Sequence, residues 1–300
     1  MKNLRITVDE YSDARKYIMR AENEYNRALN TVIEDIVSDS GAKIITLAGP
    51  TCSGKTTTAS KLTGHIRDAR KNPVILSIDD FFIDRSDRNN VSGESPDYDS
   101  VKAIDLETLE EFVSGLLSGN TVKKPIFDFN STKRTGYVEY SPKENDIYIF
   151  EGIQAVYPEV TSLLGDDYKS IFICVMDSVK YRGQTLDPNE IRLFRRIVRD
   201  YKFRGATAEF TLHLWSGVRA NEEESIFPNA GESDYYIDSF LRYEPFILSR
   251  YAGELLETVP SDSRYRPYAD ELIKKLKPFS NPYFKDEMIP EKSMFREFIG

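Results

Sequence analysis

A glycine-rich loop near the start of the chain contains the residue types that hold nucleotide phosphates. Residues 49–56 read G-P-T-C-S-G-K-T and fit the pattern G-x-x-x-x-G-K-[ST] at every fixed position. Gly49 and Gly54 carry no Cβ, so the backbone N–H groups of the loop can converge on phosphate oxygens. Lys55 can reach the β- and γ-phosphates, and the Thr56 hydroxyl can ligate Mg²⁺. The loop therefore predicts binding of a nucleoside triphosphate, with these cofactor-binding residues: Gly49, Thr51, Cys52, Ser53, Gly54, Lys55, Thr56 and Thr57.

Two acidic residues follow short apolar runs that indicate buried strands. Asp79 follows the run at 73–78, and Glu151 follows the run at 147–150. The carboxyl ends of parallel strands face the crevice in which open sheets bind ligands. Phosphoryl transfer needs a phosphate cradle, Mg²⁺, a carboxylate at the attacking hydroxyl and cations on the migrating group. Asp79 is the candidate for the hydroxyl and Glu151 for a Mg²⁺-bound water. A helix cap or a surface acid is the alternative for each.

Cations suited to a migrating phosphoryl group occur between residues 192 and 204. At 100° per residue, four arginines fall within about 100° of arc on one helix face: Arg192, Arg195, Arg196 and Arg199. The apolar residues on the other side predict a packed face: Ile191, Phe194, Ile197, Val198 and Tyr201. Exposed guanidinium groups so close together repel unless an anion lies between them. Arg204-Gly205 then suggests a hinge, which predicts a lid at about 181–207. A solvated basic face and a nucleic-acid patch are the alternatives.

Apolar runs that alternate with helical periodicity set the expected fold. Strands are predicted at 44–48, 73–78, 147–150, 171–176 and 235–238, and helices at 55–69, 105–118 and repeatedly after 188. A hairpin is predicted at 125–129 and 136–140. This alternation indicates an α/β domain with a parallel sheet that helices cover on both faces.

An amphipathic helix is predicted at 8–38, ahead of the first strand. Apolar residues recur there at steps of three and four, and Gly41 is a plausible stop. We divide the chain into an N-terminal helical extension at 1–40 and a phosphate-loop domain at 41–300. The helix is expected to pack on the body of the protein, with a partner-binding role as the alternative.

Composition excludes several classes of protein. The chain has 300 residues and a net charge of −9, which argues against broad binding to nucleic acid or to an anionic membrane. No run of about 18 apolar residues exists, and the first residues lack the apolar core of a signal peptide. Two cysteines and two histidines fit neither a disulfide framework nor a zinc enzyme. We expect a cytoplasmic protein with a small-molecule acceptor and leave a homo-oligomer open.

Taken in order, these motifs resemble the uridine kinase and phosphoribulokinase family over residues 43–245. Beyond the phosphate loop they comprise Leu76-Ser-Ile-Asp79-Asp-Phe-Phe82, Pro96-Asp97-Tyr98-Asp99, Pro125-Ile-Phe-Asp128-Phe129, Phe150-Glu151-Gly152-Ile153 and Arg195-Arg196-x-x-Arg199-Asp200-x-x-x-Arg204-Gly205. The bacterial uridine kinase-like nucleoside kinases are similar in three further segments: 215–219, 226–228 and 296–300. The resemblance implies a P-loop kinase fold with an inserted β-hairpin and an arginine-rich helical lid. It also implies transfer of the ATP γ-phosphate to a sugar hydroxyl with Mg²⁺.

The resemblance also implies roles for single residues. Asp79 matches the catalytic base, acting with Lys55 and with the lid residues Arg195, Arg199 and Arg204. Thr56, Asp79 and Glu151 match the Mg²⁺ shell. The acceptor site would comprise Asp79, Phe82, Glu94, Phe127, Thr132 and Arg134. Glu94 stands where uridine kinases place a ribose-binding Asp.

The chain departs from uridine kinases where they read the base. Their Tyr and His are replaced by Phe127 and Thr132, so the polar partners of a pyrimidine are reduced. A nucleoside 5′-hydroxyl is our first expectation for the acceptor. One alternative is a kinase of another metabolite such as a sugar phosphate, which basic residues of the hairpin would suit: Lys123, Lys124, Lys133 and Arg134. The other is a nucleotide-dependent regulatory module, against which Asp79 argues.

Overall fold

A five-stranded parallel sheet forms the centre of the protein in a computed structural model. The structure describes residues 4–5, 13–38, 42–84, 100–129 and 131–300. The strand order is β10-β7-β2-β6-β3, and every neighbouring pair is parallel. Ten strands occur in the described residues: β1 Leu4–Arg5, β2 Ile44–Ala48, β3 Asn72–Ser77, β4 Val122–Asp128, β5 Lys133–Tyr140, β6 Asp146–Glu151, β7 Tyr168–Cys174, β8 Val179–Tyr181, β9 Gln184–Leu186 and β10 Tyr235–Asp238.

Helices connect and cover these strands. Within the same described ranges they are α1 Ala14–Ser38, α2 Lys55–Asp68, α3 Leu106–Leu117, α4 Pro158–Thr161, α5 Pro188–Arg204, α6 Ala208–Asn221, α7 Phe227–Ala230, α8 Glu244–Glu257, α9 Arg266–Leu276 and α10 Arg296–Ile299. The predicted α/β fold with a parallel sheet is confirmed. The strands at 44–48, 73–78, 147–150, 171–176 and 235–238 all occur, with ends shifted by at most three residues. Sequence patterns missed the short strands β8 and β9, which pair with each other, and β8 also pairs with β1.

Two hydrophobic clusters fill the two faces of the sheet. Side chains alternate along a strand, so Ile45 and Leu47 of β2 enter one cluster while Ile44 and Ala48 enter the other. The first cluster receives α1, α2, α5, α6, α8 and α9. The second receives α3, the short helices α4 and α7, and the inner side of β4. Helices therefore cover both faces, as the unbroken apolar strands require.

The N-terminal helix packs on the body of the protein. Its buried stripe joins the first cluster and includes Ile18, Tyr25 and Leu29. The Tyr25 hydroxyl lies 2.7 Å from Thr58 Oγ1 of α2, directly behind the phosphate loop. Residues 8–12 of the predicted helix lie outside the described residues.

The hairpin and the N-terminal side of α5 follow local rules. β4 and β5 are antiparallel, with strands longer than predicted. Helix α5 begins with Pro188 behind a capping box, in which Asp187 accepts from the backbone N–H of Glu190 and the Glu190 carboxylate accepts from that of Asp187. It ends at Gly205, whose φ is 66°. Among the described helices, not one is both long and apolar enough to span a bilayer.

Candidate active site

The phosphate loop joins the central strand β2 to the N-terminus of α2. A Cβ on Gly49 would lie 2.1 Å from the Ile173 carbonyl oxygen, so the loop can run against β7 only with glycine at this position. Gly54 has a φ of 90° and directly precedes α2. The loop therefore delivers the chain to the helix with its backbone close to both neighbours, and the N–H groups at the start of α2 face outward from the carboxyl edge of the sheet.

Two side chains of the loop suit a phosphate ligand. The Ser53 hydroxyl is buried and has no hydrogen-bond partner among the described residues. The Lys55 ammonium donates to the carbonyl oxygens of Gly49 at 2.8 Å and Pro50 at 3.1 Å. Lys55 is thus folded over the loop, and the third N–H donor of its ammonium remains for a phosphate oxygen. The donors fit a nucleoside triphosphate, because an N-terminal helix end, a lysine and an unpartnered hydroxyl all favour anionic oxygens.

A carboxylate from the end of the chain reaches the start of α2. Glu297 Oε2 accepts from the Thr57 backbone N–H at 3.1 Å and from the Thr57 hydroxyl at 2.9 Å. Thr57 was predicted as cofactor-binding. Residues 296–300 resemble a segment of the family in sequence, but no local pattern could have linked residue 297 to the loop.

The two predicted carboxylates lie at the same edge of the sheet as the loop. Glu151 of β6 is in register with Leu47 of β2 on one side and Ser77 of β3 on the other. Asp79 lies two residues after Ser77, in a single 3₁₀ turn at 78–81. Strand β3 ends at Ser77 instead of at the predicted residue 78, because the chain enters this turn. Asp79, Glu151 and the loop all occupy the carboxyl edge where ligands of open parallel sheets bind.

The electrostatics of Glu151 connect it with the loop. Burial raises the pKa of Glu151; Glu297 and Asp80 raise it further, and Lys55 opposes them. No cluster of three or more metal-ligating side chains is preformed among the described residues. The assignment of Thr56, Asp79 and Glu151 to Mg²⁺ therefore stays a prediction.

Three phenylalanine rings gather where the hairpin meets the 3₁₀ turn. Phe127 is 7% exposed, and its ring lies 5.6 Å from that of Phe82 and 5.3 Å from that of Phe129. Phe129 is 52% exposed. Phe127 is therefore a covered packing residue, and the ring open to a ligand is that of Phe129, which is not among the predicted acceptor-site residues. Thr132 adopts a φ of 55° in the hairpin turn.

Two basic residues of the hairpin form ion pairs with carboxylates of the protein. Arg134 donates to Asp105 Oδ2 at 2.9 Å, and Lys124 donates to Asp80 Oδ2 at 2.6 Å. Arg134 also lines an open cavity of about 370 Å³ together with two carboxylates, Asp84 and Asp105. Neither cation is held ready for a substrate phosphate. Glu94 and the segment 96–99 lie outside the described residues.

The prediction that α5 presents four exposed arginines is wrong for Arg192 and Arg195. Arg192 forms two hydrogen bonds of 2.6 Å with Glu222, and Arg195 binds Glu244 at 2.7 and 2.6 Å. Neither arginine has any exposed surface. The predicted packed face is also incomplete, because Tyr201 is exposed. The helix is enclosed on nearly every side, and acids from distant segments compensate the buried charges.

The buried arginines support the phosphate loop from below. Arg192 donates to the Thr51 carbonyl at 3.2 Å and Arg195 to the Cys52 carbonyl at 3.0 Å. In a planar trans peptide, the C=O of one residue and the N–H of the next point in opposite directions. The N–H groups of Cys52 and Ser53 are thereby turned away from α5. Cys52 also has a φ of 58°, a left-handed conformation that costs a non-glycine residue about 1–2 kcal/mol.

The remaining arginines of α5 converge on Asp200. This carboxylate lies 3.2 Å from Arg196 Nε, 2.7 Å from Arg199 Nη2 and 3.5 Å from Arg204 Nη1. Burial lowers the pKa of Arg199, but surrounding negative groups, among them Asp200 and Glu297, outweigh it and raise the pKa overall. Arg204 is the exposed member of the three. Arg199 and Arg204 therefore stay the candidates for contact with a migrating phosphoryl group.

A central strand, phosphate loop and helix within a parallel sheet, with carboxylates at the ends of neighbouring strands, define a P-loop kinase fold. The model of the Phosphoribulokinase / Uridine kinase family matches residues 44–242, and the chain belongs to this family. A uridine kinase of Clostridium novyi is 32% identical over 58% of this chain and 76% of its own length. A uridine kinase of Halobacterium salinarum is 28% identical over 64% of this chain and 78% of its own length.

A solved structure agrees with the fold. The crystal structure of a proposed fructose transport system kinase from Silicibacter sp. TM1040 matches 69% of this chain and 98% of its own, with a TM-score of 0.51 and 17% identity. Together with the uridine kinases among its relatives, the family match identifies the protein as an ATP-dependent kinase.

Proposed function

We propose that this kinase transfers the γ-phosphate of ATP to the 5′-hydroxyl of a nucleoside. The observation that carries the proposal is the register of Ser77, Glu151 and Leu47, which brings Asp79 and Glu151 to the edge of the sheet that bears the phosphate loop. The uridine kinases among the relatives support a nucleoside as the acceptor.

Each residue has a defined part in the transfer. Asp79 accepts the proton of the attacking hydroxyl, whose oxygen forms a bond to the γ-phosphorus while the bond to the β,γ-bridging oxygen breaks and ADP leaves. Lys55 and the N–H groups at the start of α2 hold the phosphates. Arg199 and Arg204 approach the γ-phosphoryl group as its charge spreads. Thr56 and Glu151 would hold Mg²⁺, which would supply positive charge to offset that of the phosphates.

The hairpin supports a nucleoside over a sugar phosphate. The exposed ring of Phe129, backed by Phe127 and Phe82, offers a face on which a base can stack. Of the four hairpin cations that would suit a sugar phosphate, Lys124 and Arg134 are already engaged by carboxylates, which leaves the exposed Lys123 and Lys133 for that role.

The test is ADP release measured across a panel of acceptors: uridine, cytidine, adenosine, guanosine, fructose and ribulose 5-phosphate. We expect turnover with at least one nucleoside and a 5′-phosphate in the product, identified by ³¹P–¹H correlation. Turnover with a sugar or sugar phosphate alone would replace the nucleoside assignment. ADP release at one rate with and without every acceptor would support the regulatory module.

A further inference from the structure

The first turn of α2 is capped by a carboxylate that comes from the other end of the chain. Gly54 precedes α2 and has no side chain with which to cap it. Glu297 of α10 supplies the missing acceptor and takes both donors of Thr57, the N–H at 3.1 Å and the hydroxyl at 2.9 Å. Thr57 is the third residue of α2, so its N–H is among those that lack a partner within the helix.

The backbone that carries Glu297 is firmly held. Phe295 and Phe298 are fully buried, and the Arg195 guanidinium lies 4.9 Å from the centre of the Phe298 ring. Ser293 donates to the buried Glu22 of α1 at 2.5 Å. Lys202 donates to the Ile299 carbonyl. The segment therefore belongs to the core, whereas the side chain of Glu297 is partly exposed.

The Glu297 carboxylate lies close to one group that attracts it, Arg199, and to one that repels it, Glu151. Its charge raises the pKa of Arg199 against the effect of burial, and it adds to burial in raising the pKa of Glu151. Glu297 thus lies among the helix N-terminus, an arginine of α5 and the strand-end carboxylate. In a phosphate loop, the N–H groups of this first turn serve the α- and β-phosphates of the nucleotide.

We propose that Glu297 is a built-in competitor of the nucleotide, which takes the donors of Thr57 in the free enzyme and swings away when ATP binds. The inference rests on the proposed function, since it presumes that ATP enters this loop. Because the exchange replaces one anion by another, part of the binding free energy is spent on displacing the carboxylate. Glu297 therefore sets the affinity for nucleotide, and its return favours the release of ADP.

The decisive variant is Glu297→Gln, with Glu291→Gln as the matched control. Both changes remove one negative charge from the C-terminal segment, but Glu291 is exposed and Glu297 is the residue that binds Thr57. A charged acceptor binds its donors more strongly than a neutral amide, so Glu297→Gln should lower the Kd for ATP and ADP about 3–10-fold. Titration calorimetry with and without Mg²⁺, and without any acceptor, measures both constants.

A second readout separates competition from simple support of the fold. Without nucleotide, Glu297→Gln should have a lower melting temperature than wild type, because a neutral amide caps α2 less strongly than the carboxylate does. With saturating ADP, its melting temperature should rise by more than that of wild type. A merely structural role would weaken the fold and the nucleotide affinity together.

Each outcome decides a different point. An unchanged or weaker nucleotide affinity in Glu297→Gln, while wild type binds ATP, overturns the competitor. Weaker ATP binding that occurs only with Mg²⁺ overturns it in favour of a metal-binding role for Glu297. If wild type binds neither ATP nor ADP, the proposed function itself fails. An equal gain in affinity in Glu291→Gln would assign the effect to net charge and overturn the specific contact.

Discussion

Arg195 lies beneath the phosphate loop and donates a hydrogen bond to the carbonyl oxygen of Cys52, 3.0 Å away. The same guanidinium is held by Glu244 and by the backbone and side chain of Ser239. A residue with the sequence pattern of a lid arginine thus supports the loop from inside. The link joins α5, which carries Arg199 and Arg204, to the residue of the loop with the left-handed backbone. A shift of α5 would act on the loop through this contact.

Variants of Arg195 should separate its contribution to the stability of the fold from its contribution to holding the phosphate loop. Arg195→Ala leaves Glu244 buried without its partner, and we expect a loss of about 3–5 kcal/mol in the free energy of unfolding, measured in urea. The double variant Arg195→Met/Glu244→Gln removes both charges and should recover most of this loss. It should still bind ATP more weakly than wild type, because the Cys52 carbonyl keeps no guanidinium donor. Full ATP affinity in the stable double variant would contradict the role in holding the loop.

Asp79 and Asp80 provide a matched pair for testing the base. Asp79→Asn keeps the shape of the side chain and removes its basicity, so kcat should fall by about 10²–10⁴ while ATP still binds. Asp80→Asn makes the same chemical change one residue along, where the carboxylate pairs with Lys124. Its kcat should stay within about threefold of wild type, since a partly exposed ion pair such as Lys124–Asp80 contributes little to stability. Equal losses of kcat in the two variants would remove Asp79 as the base.

Local patterns predicted the strand, loop and helix at 44–69, because each element carries its own periodicity and its own breaker. Such local patterns could not predict which residues surround α5. A helical wheel places Arg192 and Arg195 on one face, but it holds no information about Glu222 and Glu244, which arrive from later segments.

The rings of the hairpin illustrate the same limit. Phe127 and Phe129 are both aromatic and lie two residues apart, and the sequence does not tell which one is covered. Packing against Phe82 buries the first, whereas the second lies beyond the end of β4 and stays exposed. The contact of Glu297 with Thr57 spans 240 residues of chain, and only the tertiary structure brings the two together.

Asp238, at the end of β10, should make stability depend on pH. Burial raises the pKa of Asp238 to about 6, with Asp177 acting in the same direction, although two backbone N–H groups stabilise the charged form. The unfolded carboxyl titrates near 3.9, so the folded protein binds its proton more tightly. The stability associated with this proton is complete below pH ~4 and is lost as pH rises through about 6.

Asp238→Asn should remove the loss of folding stability that occurs as pH rises. The amide oxygen can still accept from the N–H groups of Met176 and Phe240, which the carboxylate binds at 3.0 and 2.9 Å. We expect the variant to be more stable than wild type by about 2–3 kcal/mol at pH 8, with the difference narrowing at pH 6 and again at pH 4.5. Urea unfolding of both proteins at the three pH values measures it. A difference that is the same at every pH would argue against an ionisation of Asp238.

Phe129 is the residue through which the hairpin should recognise a base. Its ring is half exposed, so Phe129→Ala costs little packing, but it removes the surface on which a nucleoside base can stack. Stacking of a base on an aromatic side chain contributes about 1–3 kcal/mol, so KM for the nucleoside should rise at least fivefold, with KM for ATP unchanged. Phe127→Ala is the contrasting variant. Because that ring is covered, it should destabilise the fold by about 3 kcal/mol or more in urea unfolding. If Phe129→Ala leaves the nucleoside KM as it is, the base does not stack on this ring, and the acceptor's distinguishing contacts lie elsewhere in the crevice.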